Sequence, residues 1–216
     1  MELDRVGAVV LAAGASERFG GVKALASLDG RPMLQHVLDM ARAGGLRDVV
    51  VVLGNAAEQI ERTIVWHGER IVRNPRPEAG LSGSLRLGFG ALGADVMAAF
   101  VLLGDQPLVR PAVLDALLAA FPEEGRTVLV PRYAQGGGPN PVLIGRAAWP
   151  LVFEAVGDRG LGPLLRRHPE LVLEVPVAGA NPDIDTPADL AALEWAKRAR
   201  VDRVPEVSDD PDADAP

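Results

Sequence analysis

The chain has 216 residues, and its composition excludes several classes of protein before any motif is considered. It contains no cysteine, which excludes disulfide scaffolds, zinc ribbons, thiol catalysis and iron–sulfur clusters. The three histidines, His36, His67 and His168, are scattered and do not suggest a histidine-based metal centre. Hydrophobic residues make up 48% of the chain, enough to build one sizeable core.

Most of the negative charge lies at the C-terminal end. The net charge is −7, of which residues 202–216 carry −5. We therefore predict one domain over residues 1–200, followed by an acidic, disordered tail over residues 201–216. Neither part has the basic stripe that nucleic-acid binding requires, so we expect no nucleic-acid partner.

A short apolar run opens the chain between Val6 and Ala15. The run is too short to cross a bilayer, and the residues before it include Glu2 and Asp4, which is the wrong charge for a secretory signal. We interpret it as a buried strand, and we expect a cytoplasmic protein with no membrane partner.

Apolar runs and helical spacings alternate along the chain. The predicted strands are Ala8–Leu11, Val49–Leu53, Arg70–Arg73, Ala98–Leu103, Val128–Val130 and Leu171–Val175. The predicted helices are Met33–Ala43, Ala56–Trp66, Ser84–Leu92, Pro111–Phe121, Arg146–Ala155 and Ala188–Arg200. Strands that are apolar throughout suit a sheet covered on both faces. The pattern predicts an α/β fold with a doubly wound, mostly parallel sheet.

One segment, residues 132–141, breaks this rhythm with three consecutive glycines followed by Pro139, Asn140 and Pro141. Two interpretations stay open: a loop that closes over a ligand, or a mobile surface hairpin.

The segment after the first strand has the composition of a phosphate cradle. It runs from Leu11 to Lys23, and its glycines expose backbone N–H groups while Ser16, Arg18 and Lys23 supply donors and charge. It is not a Walker A loop, because that motif needs Lys and Ser or Thr directly after the second glycine. The alternative is an ordinary glycine-rich turn with solvated charges.

Two acidic segments could hold a divalent cation. Asp105 follows the fourth strand directly, and Asp183 and Asp185 lie two residues apart, so they share a face in extended chain. Asp105 could instead open the turn at Pro107. Thr186 is suited to cap the last helix, which leaves Asp185 without a structural explanation. The pattern predicts a Mg²⁺ site.

A fourth segment, from Asn74 to Ser84, follows the third strand. Ser82 or Ser84 is suited to cap the next helix, and the same helix start could instead face a ligand. The pattern Gly88-x-Gly90-x-x-Gly93 matches a dinucleotide fingerprint, but it lies at the end of a helix rather than after a strand. We interpret it as the C-terminal breaker of that helix.

Six motifs taken together resemble one family. They are Leu11-Ala-Ala-Gly14-x-Ser16-x-Arg18-Phe-Gly20-x-x-Lys23, Gly80-Leu-Ser-x-Ser84-Leu, Gly104-Asp-Gln-Pro107, Asn140-Pro-Val, Gly157-Asp-Arg-Gly160 and Asp183-Ile-Asp-Thr-Pro187. With these motifs, the chain from Val6 to Ala196 resembles the molybdenum-cofactor nucleotidyltransferases. Within that family it looks most like the CTP:molybdopterin cytidylyltransferase branch.

The resemblance implies a Rossmann-like fold of the nucleotide-diphospho-sugar transferase type and a role for each matching residue. Arg18, Lys23 and Asp105 would be catalytic, and Asp105 and Asp185 would bind Mg²⁺. The nucleotide would contact Leu11, Ala12, Ala13, Gly14, Lys23, Asn55, Asn74, Gly80, Ser82 and Ser84. The implied reaction transfers CMP from CTP to a phosphorylated acceptor, molybdopterin or the molybdenum cofactor, and releases pyrophosphate. A molybdenum enzyme is a further candidate partner.

Two departures from the family pattern bear on substrates. Ala13 stands where guanylyltransferase relatives carry glycine, and its methyl group would narrow the base site, which favours CTP over GTP. Pro139 is inserted before Asn140 in a loop that faces the acceptor in the family. Two other functions stay open: an NAD(P)H-dependent oxidoreductase on the same scaffold, and a non-catalytic nucleotide- or cofactor-binding protein.

Overall fold

A seven-stranded sheet runs through the protein in the order β5-β4-β1-β6-β8-β7-β9. The computed structural model describes residues 5–14, 19–121 and 127–201, with the side chains of the last helix described as far as residue 196. The strands of the sheet are β1 (Val6–Ala12), β4 (Asp48–Leu53), β5 (Arg70–Arg73), β6 (Ala98–Leu103), β7 (Val128–Tyr133), β8 (Val142–Gly145) and β9 (Val172–Val177). A separate two-stranded hairpin is formed by β2 (Ser27–Leu28) and β3 (Arg31–Pro32).

The sheet is mostly parallel, which confirms the predicted fold class. β1 pairs in parallel with β4 and with β6, so Val9 lies opposite Val50 on one side and Val101 on the other. Only β8 runs against its neighbours β6 and β7. The central strands are buried almost throughout, as expected for strands covered on both faces.

Helices cover both faces of the sheet. They are α1 (Met33–Ala43), α2 (Ala57–Thr63), α3 (Leu81–Ala91), α4 (Pro111–Ala119), α5 (Trp149–Glu154), α6 (Gly162–Arg167) and α7 (Pro187–Val201). One apolar cluster joins α1, α2 and α4 to side chains such as Val10 and Val51. A second cluster joins α3, α5 and α6 to their sequence neighbours Val9 and Val50, because successive residues of a strand point to opposite faces.

Helix α3 lies unusually close to the sheet, and a glycine permits it. A Cβ at Gly88 would overlap the side chain of Val9 and come within 3.1 Å of Val52. The helix continues past Gly88 as far as Ala91. Gly88 is therefore a packing position within the helix, which corrects the interpretation of the whole glycine pattern as a helix breaker.

The differences from the predicted elements lie mainly in the second half of the chain. The sequence analysis did not predict β8, α6 or the β2–β3 hairpin, all of which are short. No helix within the described ranges is both long enough and apolar enough to cross a lipid bilayer. The predicted tail from residue 202 onward lies outside the described residues.

Candidate functional site

Two adjoining cavities open at the carboxyl ends of β1 and β6. The larger, about 850 Å³, lies between the start of α3, the segment 157–158 and Asp185. The smaller, about 530 Å³, is bounded by the β1 end (Leu11 to Gly14), the segment 20–24 and the segment 54–56 after β4. Ala13, Gly14, Lys23 and Asp105 line both cavities. The carboxyl edge of a parallel sheet is where such folds bind ligands.

Lys23 lies between two carboxylates at the junction of these cavities. Its Nζ is 2.6 Å from Asp105 Oδ2 and 3.0 Å from Asp185 Oδ1. The lysine side chain is only 13% exposed, whereas those of Asp105 and Asp185 are 34% and 42% exposed. Three residues predicted to act together are thus brought into direct contact from three distant segments.

Burial and charge act in opposite directions on Lys23. Burial alone lowers the pKa of its ammonium group, but hydrogen bonding and charge from Asp105, followed by those from Asp185, outweigh burial and raise the pKa above its ordinary value. The ammonium therefore stays charged at neutral pH.

Asp105 owes its position to close main-chain packing after β6. Gly104 donates its N–H to the carbonyl of Leu11, 2.9 Å away, and a Cβ at Gly104 would lie only 3.0 Å from that of Ala12. This contact holds the β6 end against the β1 end, so Asp105 emerges beside Gly14 and Lys23.

Asp185 is placed by an anchor on one side and a helix cap on the other. Ile184 is 2% exposed and packs with Leu28 and Met33, so Asp183 and Asp185 point the other way, as the sequence predicted. Thr186 Oγ1 accepts from the Asp189 N–H at 3.2 Å, and Asp189 Oδ2 accepts from the Thr186 N–H at 2.8 Å. This reciprocal cap fixes the start of α7 next to Asp185.

The residues between β5 and α3 divide into a cavity wall and a buried support. Gly80 and Ser84 line the larger cavity, whereas Ser82 is buried within α3. Asn74 is buried, donates to Ser84 Oγ at 3.0 Å and accepts from the Arg76 N–H at 2.9 Å. The side-chain amide of Asn74 is thus engaged with the protein itself.

The prediction that Ser82 or Ser84 caps this helix is wrong. Gly80 occupies the N-cap position of α3 with φ 98°, and the described side chains include none that caps the helix. A Cβ at Gly80 would lie 2.6 Å from the carbonyl carbon of Gly157, so glycine is needed there for the backbones to meet.

The glycine-rich loop after β7 is tied to the segment that carries Asp183. Asn181 is fully buried, and its Nδ2 donates to Gln106 Oε1 at 3.2 Å and to the carbonyl of Asn140 at 3.1 Å. Gln106 in turn donates to Asp183 Oδ1 at 3.3 Å, and Tyr133 donates its hydroxyl to the carbonyl of Asn140 at 2.9 Å. The first half of the loop is held as well, because Gln135 donates its N–H to the carbonyl of Gly179 at 3.0 Å, so the loop is tied to this segment along its length.

This network makes Gln106 and Asn181 part of the site's support, a role that the sequence analysis did not assign to them. Their signal in the sequence was slight: each is an amide placed next to or near a candidate carboxylate. Asp183 faces Gln106, whereas Asp185 faces Lys23.

A third, mostly apolar cavity of about 220 Å³ lies beneath this loop. Pro139 and Asn140 border it on one side and Arg159 to Leu161 on the other. Leu11, Leu81 and Leu103 line both this cavity and the 530 Å³ cavity. The inserted Pro139 therefore shapes a pocket next to the main site.

Three residues singled out from the sequence remain: Asn55, Ser16 and Arg18. Asn55 is exposed and borders the 530 Å³ cavity. Ser16 and Arg18 lie outside the described residues.

The carboxylate pair fits a divalent cation. Asp105 and Asp185 converge on one cationic group, and oxygen ligands are what Mg²⁺ prefers. Within the described ranges, no group of three or more His, Asp or Glu side chains could hold a metal ion. Mg²⁺ commonly keeps several waters and binds through one or two carboxylates plus substrate phosphates. Two carboxylates beside an open cavity match that arrangement.

The fold and this site define an α/β protein with a ligand-binding site at the carboxyl edge of a parallel sheet, lined by one lysine and two carboxylates. Residues 8–172 match the MobA-like NTP transferase domain. A probable molybdenum cofactor guanylyltransferase from Trichormus variabilis is 32% identical over 199 residues, covering 89% of this chain and 92% of the relative.

Solved structures agree with this match. The crystal structure of the Rv0371c homologue from Mycobacterium sp. strain JC1 superposes with a TM-score of 0.81 at 29% identity, covering 92% of this chain and 98% of that one. Rv0371c from Mycobacterium tuberculosis, solved in complex with manganese, has a TM-score of 0.76 at 29% identity, covering 89% and 99%.

The chain therefore belongs to the MobA-like NTP transferase family and is a nucleotidyltransferase. The family resemblance stated from the sequence is confirmed.

Proposed function

We propose that this protein transfers CMP from CTP to a phosphorylated pterin-type acceptor with the help of Mg²⁺. The observation that carries the proposal is the contact of Lys23 with Asp105 and Asp185 at the junction of two cavities. One cavity can take the nucleotide and the other the acceptor, so the reacting phosphates would meet at these three side chains.

The reaction needs positioning and charge neutralisation rather than a protein nucleophile. An oxygen of the acceptor's phosphate attacks the α-phosphorus of CTP, a new P–O–P linkage forms, and the bond to the β-phosphate breaks to release pyrophosphate. A phosphate monoester is already anionic at neutral pH, so it needs no base to activate it. Lys23 would hold phosphate oxygens, as would Arg18. The first turn of α3, at Gly80 with Ser84, lines the larger cavity. With the nucleotide in the smaller cavity, these two residues would face the acceptor, in place of the nucleotide contact that the resemblance implies.

Asp105 and Asp185 are the residues that would hold the metal. When bound, Mg²⁺ would neutralise phosphate charge and orient the oxygens for in-line displacement. The side chains of Asp105 and Asp185 are 34% and 42% exposed, so a hydrated ion can reach both carboxylates.

The choice of CTP rests on Ala13, which lines the 530 Å³ cavity and abuts Gly54. The name of the relative from Trichormus variabilis, a probable molybdenum cofactor guanylyltransferase, makes GTP the second candidate nucleotide. Ala13→Gly removes the methyl group and should shift the ratio of CTP to GTP affinity towards GTP.

A thermal-shift panel tests the proposal directly. CTP, GTP and NADPH are each added to the full chain with and without Mg²⁺. A ligand at 100 times its Kd stabilises the native state by about 2.7 kcal/mol, a readily measured shift. A Mg²⁺-dependent shift with CTP larger than that with GTP supports the proposal. A larger shift with GTP would replace CTP by GTP as the proposed substrate. A Mg²⁺-independent shift with NADPH alone would contradict nucleotidyl transfer.

A further inference from the structure

Lys23 fills the position in which the proposed metal would be expected to bind. Its ammonium lies within hydrogen-bonding distance of one oxygen from each carboxylate, 2.6 Å from Asp105 and 3.0 Å from Asp185. A divalent cation held by the same two oxygens would occupy nearly the same space. It would also place two further positive charges against a third one, with little water between them because Lys23 is only 13% exposed.

We propose that Lys23 and the divalent metal are alternative occupants of the Asp105–Asp185 pair, and that the triphosphate drives the exchange by drawing Lys23 onto its own oxygens. This inference rests on the proposed function, since it takes Asp105 and Asp185 to be the metal ligands. It adds an order to binding: the site takes metal well only when a triphosphate is present.

The geometry allows this exchange within the reach of one side chain. Lys23 begins the short 3₁₀ turn Lys23–Leu25 and lines both the 530 Å³ cavity and the larger one. Rotation about its four side-chain bonds can therefore move the ammonium from the carboxylates to a phosphate without moving the backbone. Arginine's planar, rigid group would make this movement less readily, and the chain has only two lysines, Lys23 and Lys197.

The exchange also balances charge at each stage. Two carboxylates and one ammonium carry a net charge of −1, and two carboxylates with a divalent metal carry none. A triphosphate then supplies the negative charge that Lys23 needs as a new partner. Because coupling between two ligands is reciprocal, metal and nucleotide should raise each other's affinity.

The test measures Mn²⁺ binding to the full chain without nucleotide, from the electron paramagnetic resonance signal of free Mn²⁺. Lys23→Met removes the charge and keeps the length, and it should tighten Mn²⁺ binding by at least about tenfold, equivalent to about 1.4 kcal/mol. Lys23→Arg keeps the charge and should bind Mn²⁺ as weakly as the wild type. Lys197→Met makes the same chemical change on α7 and should leave Mn²⁺ affinity unchanged.

A double variant tests whether the gain in Mn²⁺ affinity depends on the carboxylate pair. Adding Asp185→Asn to Lys23→Met should remove the gain, because the metal loses one of its two carboxylates. Circular dichroism of each variant shows that the fold is retained, and Lys23→Gln serves as a second neutral variant. Mn²⁺ binding to Lys23→Met and Lys23→Gln within twofold of the wild type would overturn the exchange.

A calorimetric titration separates this inference from the proposed function. With saturating Mn²⁺, CTP or GTP should bind the wild type more tightly than Lys23→Met, because methionine has no positive charge to pair with the phosphates. If neither nucleotide binds the wild type, the proposed function and the triphosphate-driven exchange both fail. If a nucleotide binds but the Lys23→Met gain in Mn²⁺ affinity is missing, the proposed function stands and the exchange is wrong.

Discussion

Strands β5, β4, β1 and β6 form a wholly parallel half of the sheet, whereas β8, β7 and β9 form a half with mixed strand directions. In the parallel half, the loops at the strand ends are held by main-chain contacts and close packing, such as Gly104 against Leu11 and Ala12. In the mixed half, the loop after β7 is also held by main-chain hydrogen bonds, such as Gln135 to Gly179, and in addition by buried side-chain amides, chiefly Asn181 with Gln106.

The two halves of the sheet also supply different residues to the site. The parallel half supplies Asp105, which follows β6 closely, and Lys23, which lies in the longer segment after β1. The mixed half supplies Asp185, in the segment after β9, together with the loop that borders the apolar cavity at Pro139. Each half therefore contributes one of the two carboxylates that contact Lys23. Four experiments can break or sharpen this comparison.

The largest effect is expected at Asp105. Asp105→Asn should lower turnover by about a hundred- to a thousandfold, the scale of losing a principal electrostatic contact to the transition state. Pyrophosphate release is measured with Mg²⁺, nucleotide and a molybdopterin acceptor. Asp115→Asn is the matched control, because it removes the same charge from an exposed position on α4 that lines neither cavity. Turnover of Asp105→Asn within a few-fold of wild type would show that Asp105 has no catalytic role.

The packing of the parallel half can be tested at two glycines of α3. Gly88→Ala should destabilise the protein by about 1–3 kcal/mol, because the added methyl group overlaps Val9 in a close-packed core. Gly90→Ala, on the exposed side, meets no neighbour within 4 Å and should stabilise by about 0.5–1 kcal/mol. Urea unfolding gives both values. Equal effects from the two substitutions would mean that close helix–sheet contact is not needed here.

The mixed half should show a pH dependence from Tyr133. Burial raises the pKa of Tyr133 to about 12, although the charge of Arg110 acts in the opposite direction. Between pH 10 and pH 12 the unfolded chain therefore loses this proton while the folded protein keeps it. Stability falls as pH rises through that window, by about 2 kcal/mol at most.

The measurement compares wild type with Tyr133→Phe by urea unfolding at pH 9 to pH 12. Phenylalanine cannot ionise, and it also loses the hydrogen bond to the carbonyl of Asn140. The stability advantage of the wild type should thus shrink as the pH increases. A difference between the two proteins that stays constant over this range would show that the hydroxyl is not buried.

The smallest effect is expected at Asn181. Asn181→Ala leaves Gln106 Oε1 without its donor, but it also removes the buried Asn181 Oδ1, for which the described residues provide no partner. The net loss of stability should therefore be only about 1 kcal/mol. Asn181→Asp should cost more, since a carboxylate would face two oxygens. Thermal unfolding compares the two variants, and a larger loss for alanine would contradict this account of the network.

Much of the parallel half was predictable from local patterns. The bounds of α1, β5 and β6 agree with the prediction. Apolar spacing and Gly44-Gly45 mark α1, and a continuous apolar run marks β6. The site residues Lys23, Asp105 and Asp185 were predicted from residue type and position after strands, together with the family resemblance. Strand β8 was missed because its three hydrophobic residues, followed by Gly145, form too short an apolar run to distinguish a strand from a buried loop.

The sequence by itself determined the fold class, the family and the residue types of the site, because strand and helix periods and ordered motifs are local properties. Only the tertiary structure decided which groups touch. It paired Asp185 with Lys23 and Asp183 with Gln106, although both carboxylates share a face of the same segment. It also hydrogen-bonds the side-chain amide of Asn74 to the hydroxyl of Ser84 and to the N–H of Arg76. The contacts of Asp183 and Asp185 join residues from separate segments, and they depend on how the loops pack rather than on any spacing along the chain.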